Sequence, residues 1–344
     1  MGEIVTIGLD IAKSVFQVHA VDATGEPVVR RQLKRGQVLK FFGSFVPALV
    51  GIEACGTAHF WARELIKLGH DVRLMPPAYV KPYVKRQKND AADAEAICEA
   101  VTRPHMRFVP IKSEPQQAAC MLHRTRALLV KQKTMLLNAV RAQMGELGIP
   151  TGAGVAQSMR LVRSILDGDQ QQLAAAARSA IEPLARMAID VQERITKLDK
   201  EITSWRDLSD MSTLLETIPG VGVITASAMA AMATDPGAFE SARHFAAWLG
   251  LFPRQNSSGG KTRLGRITKG GNHYLRKLLV LGATAVLRFV REGKRKPNPW
   301  VKRLLERRPP KVAAVALANK MARVAWVIMN TGAEFEMPVA EIGA

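Results

Sequence analysis

The 344-residue sequence is poor in cysteine, with three, Cys55, Cys98 and Cys120, unevenly spaced. They make no metal-binding motif and fit a reducing cytoplasm, where thiols pack as small hydrophobes. Aromatic residues are scarce at 6%, so stacking of bases on aromatic platforms is not the evident mode of binding. No uninterrupted apolar run reaches 18 residues; Val312–Met329 comes nearest, and Lys320 and Arg323 interrupt it, so it reads as a buried or amphipathic helix. No signal-peptide pattern precedes the first strand, and no membrane association is expected. Acidic residues fall short, 30 against 49 Lys and Arg, leaving a net charge of +19 and a pI near 10.2. That surplus points to a polyanionic partner, nucleic acid being the commonest and a membrane surface the competing reading.

What is present suggests two or three domains with real cores, since 47% of the residues are hydrophobic. Residues 1–112 alternate short apolar runs with helical stretches. Ile4–Ile11 and Phe16–Val21 read as a hairpin, Pro27–Leu33 as a third strand, and Leu49–Ala54 and Asp71–Met75 as buried strands. Gly36–Phe45, His59–Leu68 and Asp90–Thr102 read as helices, which makes an α/β domain with a mixed sheet. Residues 113–207 carry helical periodicity, interrupted at GIPTGAG (148–154) and then running to about Trp205. VQERITKLDKEI (191–202) has the look of a coiled-coil arm, a plain helical bundle being the alternative. Residues 208–344 are mostly helical, with a long polar Gly-rich loop. Between Arg254 and Lys311 stand seventeen Lys and Arg and two Glu, a nucleic-acid footprint rather than a solvated face.

Four carboxylates carry the chemistry. Asp10 and Glu53 each close an apolar run that reads as a buried strand; Asp90 and Asp93, three apart, share one face of a helix. Acidic groups at the ends of central strands cost desolvation energy unless something positive neutralises them. Mg²⁺ or Mn²⁺ suits an oxygen-only ligand set. The order matches a ribonuclease H-like layout, in which two metal ions about 4 Å apart clamp the attacking and leaving oxygens. The alternative makes Asp90 a helix N-cap and Asp93 a first-turn residue favoured by the helix dipole. Glu95 and Glu99 read as solvent-facing.

Three further segments bear on nucleic acid. Ile218-Pro-Gly-Val-Gly222 reads as a helix-hairpin-helix turn, in which Gly220 and Gly222 let backbone N–H groups approach a phosphate. A tight interhelical packing turn is the alternative. Arg254-Gln-Asn-Ser-Ser-Gly-Gly-Lys261, with Arg263 and Arg266 after it, sets Ser257 and Ser258 among basic residues. A serine needs activation to act as a nucleophile, and a flexible linker is the plainer reading. In GRITKGGNHYLRKLLV (265–280), Lys269, Arg276 and Lys277 are candidates to face a phosphate backbone, and His273 reads as a helix-entry residue.

At these residues the chain resembles the insertion-sequence transposases of the group numbered one hundred and ten, related to the Piv-type DNA invertases. GLDIAK, GIEACGT and NDAADA look like that group's Asp-Glu-Asp-Asp tetrad in a RuvC-like domain. IPGVG, AAWLGLFPRQNSSGGK and GRITKGGNHYLRK look like its C-terminal transposase domain. The resemblance implies that Asp10, Glu53, Asp90 and Asp93 hold Mg²⁺. It places the nucleophile at Ser258, directly before Gly259, with Ser257 an adjacent ambiguity. The serine would join DNA covalently, and the metal cluster of one protomer would complete a site with the serine of another. A dimer or tetramer, donor and target DNA, and a structured guide RNA are implied as partners. So is a bacterial cytoplasmic setting, on the nucleoid when active.

Other readings remain open at this point. A hydrolytic two-metal nuclease of the junction-resolving type would need no covalent intermediate, but leaves the Ser-Gly loop and the large C-terminal region unexplained. A basic architectural protein leaves four clustered carboxylates unexplained. A sugar-kinase or actin-like ATPase reading of GLDIAK lacks a second phosphate-cradling glycine loop.

Overall fold

The computed structural model describes residues 3–85, 89–152, 154–170, 172–256, 261, 263–294, 296 and 298–336. The chain forms two compact units, Met1–Glu114 and Pro115–Ala344.

The first unit is built on a five-stranded sheet of β1 (Thr6–Ile11), β2 (Val15–Val21), β3 (Pro27–Lys34), β4 (Leu49–Glu53) and β5 (Asp71–Met75), in the order β3-β2-β1-β4-β5. β1 pairs antiparallel with β2 and parallel with β4, so the sheet is mixed. Alternation along the strands sends Ile7, Leu9, Val18, Val50 and Ile52 into one core, beneath α1 (Val38–Phe42) and α2 (Ala58–Lys67). A short helix, α3 (Pro77–Val80), follows β5. The opposite face is covered by α4 (Asp90–Val101), whose Ala96, Ile97, Ala100 and Val101 pack with Met75. The expected strands and helices of this half are therefore present.

Small residues seat that helix. Gly8 of β1 and Gly51 of β4 are register partners. A Cβ on Gly8 would stand 2.1 Å from the Ala94 carbonyl of α4, and one on Gly51 would stand 2.8 Å from Cβ of Val101. The Ala-rich sequence of α4 lets its backbone lie directly on the sheet. Cys98 is part of this contact: its thiol donates to the Thr6 carbonyl, and burial pushes its pKa up to about 11. It is a packing residue, as expected.

The second unit begins with α5 (Glu114–Glu146), which starts at the boundary residue, followed by α6 (Val155–Leu166) and α7 (Ala175–Asp207). Helical periodicity does not run unbroken to Trp205: α6 ends at Leu166 and Gly168 takes a positive φ of 81° before α7 starts. α5 and α7 run antiparallel, joined by Arg126 with Asp199 and by Lys133 with Gln192 (2.8 Å). The residues read from the sequence as a separate middle region share this unit with α8 (Asp210–Glu216) and α9 (Val223–Met232), and Arg206 of α7 pairs with Glu216 of α8.

After α10 (Ala242–Trp248) the chain forms a two-stranded antiparallel ribbon of β6 (Pro253–Gln255) and β7 (Leu264–Ile267), then α11 (His273–Arg291), α12 (Pro299–Arg307) and α13 (Pro310–Thr331). Where the sequence reads as one long polar loop, its flanks pair instead. α13 is the one helix among the described residues long and apolar enough to cross a membrane by composition. Its Ala313, Leu317, Ala318, Met321 and Ala325 are buried in the core with Leu275 and Leu279 of α11.

Candidate metal centre and nucleic-acid interface

The sheet's alternation puts Asp10 on the same face as Gly8, and Glu53 on the same face as Gly51, which is the face that α4 covers. α4 begins at that edge. Oxygens of Asp10, Asp90 and Asp93 lie within 4.8 Å of one another. Glu53 stands half-buried at the end of β4, outside this trio, and acts on Asp10 through its charge. Three of the four expected carboxylates are thus brought together, and the fourth adds to the field.

Burial raises the pKa of Asp10 to about 6, and the charges of Asp93, Asp90 and Glu53 push in the same direction. Such a group holds its proton to a higher pH than a free carboxylate does, and its ionised form is relieved by a bound cation. Three carboxylates at this separation, with no nitrogen or sulfur donor, fit a hard divalent cation such as Mg²⁺ or Mn²⁺.

Asp90 is not the helix cap. Asn89 holds that place, its side chain accepting from the Ala92 N–H at 2.8 Å. Both aspartates are left in the first turn, at the positive end of the helix dipole, with their carboxylates uncommitted to capping. Glu95 and Glu99, read as solvent-facing, both pair with Lys85, at 3.0 and 3.9 Å. Sequence reading missed Asn89 and the glycine pair, although the NDAADA string shows the cap directly before the helix.

In the second unit the turn 217–222 joins α8 to α9. Its two glycines differ. Gly220, with a φ of 91°, is pressed against α11: a Cβ there would lie 3.0 Å from the Gly282 carbonyl and 2.8 Å from Val286. Gly220 therefore serves close helix packing. Gly222 is exposed, caps α9 without a side chain, and has open space around it. Among the described residues, no side-chain hydrogen bond caps the first N–H groups of α9 there.

Arg254, Lys261, Arg263, Arg266, Lys269 and Lys277 are exposed on the ribbon and the start of α11. The ribbon closes through Asn256 N–H donating to the Arg263 carbonyl at 2.9 Å. Ser257 and Ser258 lie outside the described residues, in the stretch that β6 and β7 flank in sequence. Lys269 holds a positive φ of 58°, a conformation non-glycine residues keep only where the surroundings enforce it.

Arg276 departs from expectation. It is 7% exposed, and its Nη1 donates to the Leu249 carbonyl at 2.8 Å and to the Gly270 carbonyl. The guanidinium ties α10 to the loop that enters α11 and is not available to a nucleic-acid phosphate. Its place in the basic run 265–280 made it a candidate to face a phosphate backbone, but the burial of neighbouring Leu275, Leu278 and Leu279 carries Arg276 inward.

Comparisons with known proteins cover nearly the whole chain. The family described as Transposase, IS116/IS110/IS902 family, matches residues 212–303, and a second transposase family, the DEDD type of IS110, matches residues 7–148. A probable family 20 transposase of Pseudomonas aeruginosa is 49% identical over 325 residues, covering 94% of this chain and 96% of that protein. The transposase for insertion sequence element IS1328 of Yersinia enterocolitica is 37% identical over 335 residues, covering 97% and 99%. A pilin gene-inverting protein of Moraxella bovis is 24% identical over 311 residues, covering 84% and 82%.

Proposed function

The chain belongs to the IS116/IS110/IS902 family of transposases, and from that membership we propose that it cuts and rejoins DNA through a covalent link to Ser258, using an Asp10–Glu53–Asp90–Asp93 metal centre. The observation that carries this reading is the meeting of Asp10 with Asp90 and Asp93, from a strand and a helix far apart in sequence, within 4.8 Å. The strand order β3-β2-β1-β4-β5 supports a RuvC-like first unit.

In this reading Ser258 Oγ takes the phosphoryl group of a DNA strand. The phosphoester bond to the leaving oxygen breaks as the serine–phosphate bond forms, and the energy of the phosphodiester is kept for rejoining. Arg254, Lys261, Arg263, Arg266, Lys269 and Lys277 hold the backbone around the reacting phosphate, and Gly222 offers the N-terminus of α9 to another. A bound Mg²⁺ or Mn²⁺ ion would supply charge neutralisation at that phosphate. Asp10, Glu53, Asp90 and Asp93 are the residues that would hold it.

The antiparallel pair of α5 and α7, each 33 residues long, supports a coiled-coil arm through which two or four copies assemble, the serine of one completing the metal centre of another. Donor and target DNA are the substrates, and an element-encoded RNA chooses the site by pairing while the protein reads backbone and shape.

The test is strand cleavage of element-end DNA in Mg²⁺. Asp10→Asn and Asp93→Asn should each abolish cleavage while DNA binding is retained. Wild-type cleavage in either variant would remove the metal centre from the account.

A further inference from the structure

A groove of about 1210 Å³ runs between the base of the β6–β7 ribbon and one face of α13. Six cations line it: Arg243 of α10, Arg266 of β7, Lys269 just after β7, and Lys311, Lys320 and Arg323 of α13. No carboxylate lines it among the described residues. Arg243, Arg266, Lys269, Lys311 and Arg323 are exposed, and none of the five enters an ion pair among the described residues. Concentrated, unpaired positive charge of this kind is costly to the fold and is relieved by a polyanion.

The floor is apolar. Phe252 is 45% exposed, Val312 51% and Val327 46%, and all three line the groove. On α13, Val312, Val315, Asn319, Arg323 and Val327 recur at three- and four-residue spacing, so a single helical face carries apolar surface and charge along the groove. Duplex DNA presents its phosphates and buries its base faces, so it leaves such a floor uncovered. An unpaired strand offers both: phosphates for the cations and exposed base faces for Phe252 and the valines.

Building on the nucleic-acid reading above, we infer that this groove is a binding site for an unpaired polynucleotide strand passing beneath the ribbon. Arg243, Lys311 and Arg323 extend the contact surface beyond the basic segment already assigned. The occupant is either a DNA strand opened during exchange or a single-stranded stretch of RNA. The two share the same recognition chemistry.

The test uses fluorescence anisotropy with 12-nucleotide probes of one mixed sequence: single-stranded DNA, single-stranded RNA and the DNA duplex, titrated over a salt series. Wild type is compared with the double variant Lys311→Ala with Arg323→Ala, and with Phe252→Ala. In the double variant the salt slope for a single strand should fall by about 1.4, two lost phosphate contacts at roughly 0.7 each. In Phe252→Ala single-strand affinity should fall at least about fivefold, with the slope unchanged. Duplex affinity should change little in both. The tighter of the DNA and RNA probes identifies the occupant. Unchanged single-strand binding in both variants, or equal losses for single strand and duplex, would overturn the groove assignment. Cleavage of element-end DNA, read on the same preparations, separates the two readings: cleavage that persists while the groove prediction fails leaves the transposase reading standing. A wild type that binds none of the probes contradicts both.

Discussion

Gly8 and Gly51 face each other across the parallel pair of β1 and β4, and α4 lies so close to both that neither position has room for a methyl group. The acidic centre depends on this contact. Asp10 lies two residues beyond Gly8 on the same face of the sheet, and Asp90 and Asp93 start the helix that the two glycines seat.

Gly8→Ala should therefore destabilise the protein by about 1–3 kcal/mol through overpacking, and should also weaken the rise in melting temperature on adding Mg²⁺. Gly56→Ala, with open space around it, is the comparison and should change neither. Differential scanning fluorimetry with and without Mg²⁺ reads both effects. A Gly8→Ala protein with wild-type stability and Mg²⁺ response would show that α4 is not held by this contact.

Metal binding at the trio has a thermodynamic signature separate from catalysis. In metal-free protein at neutral pH the ionised Asp10 is crowded by Asp93, Asp90 and Glu53, so Asp10→Asn should leave the metal-free protein as stable as wild type or more so. The same change should cut Mg²⁺ affinity, measured by titration calorimetry, by about tenfold or more, since a charged ligand is lost. Equal Mg²⁺ affinities would place the ion elsewhere.

A buried network predicts a pH dependence. His123, 1% exposed, lies between Tyr274 and Ser227, at 3.2 Å from each. Ser227 Oγ donates to the Val223 carbonyl; with Ser227 thus accepting from Nε2–H and Tyr274 O–H donating to Nδ1, the ring is neutral. Burial lowers its pKa to about 4, with the charge of Arg126 acting in the same direction. Between pH 6.5 and about 4 the unfolded chain takes up a proton that the native state refuses, so the histidine's contribution to stability falls as pH drops through that window. The stability difference between wild type and His123→Gln, from urea melts, should shrink as pH falls from 7 to 4. A difference independent of pH would show that His123 titrates normally in the fold.

Two neighbouring basic residues should separate by role. Arg276→Ala should cost about 2–3 kcal/mol of stability, because the buried Leu249 carbonyl and the partly buried Gly270 carbonyl lose a charged donor. Lys277→Ala should leave stability unchanged and lower the salt slope of duplex binding by about 0.9. Arg266→Ala and Lys269→Ala should behave as Lys277→Ala does. A stable Arg276→Ala protein with a reduced salt slope would return that residue to the nucleic-acid surface.

The first unit was the more legible in sequence because its strands carry buried β-branched runs, and the strand ends placed Asp10 and Glu53 directly. The contact that brings Asp90 and Asp93 to Asp10 was not legible. It rests on two glycines 43 positions apart in sequence, paired only once the strand register is known. The ribbon was missed because Pro253–Gln255 and Leu264–Ile267 are short and exposed, without the alternation that marks a half-buried strand. Gly220 and Gly222 look alike in the IPGVG string, and only the approach of Gly282 on α11 tells a packing glycine from an accessible helix end. Arg276 and Lys277 likewise look equivalent in a basic run until the face of α11 that enters the core is known.

The central claim is strand transfer through a serine, and covalent trapping tests it most directly. Protein, Mg²⁺, element-end DNA and RNA transcribed from the element's flank are mixed and resolved on denaturing gels, with Ser257→Ala and Ser258→Ala alongside. The account predicts a protein–DNA adduct in wild type and in Ser257→Ala that is absent in Ser258→Ala. Metal-dependent cleavage with no adduct in any of the three would contradict it and make the enzyme a hydrolytic nuclease.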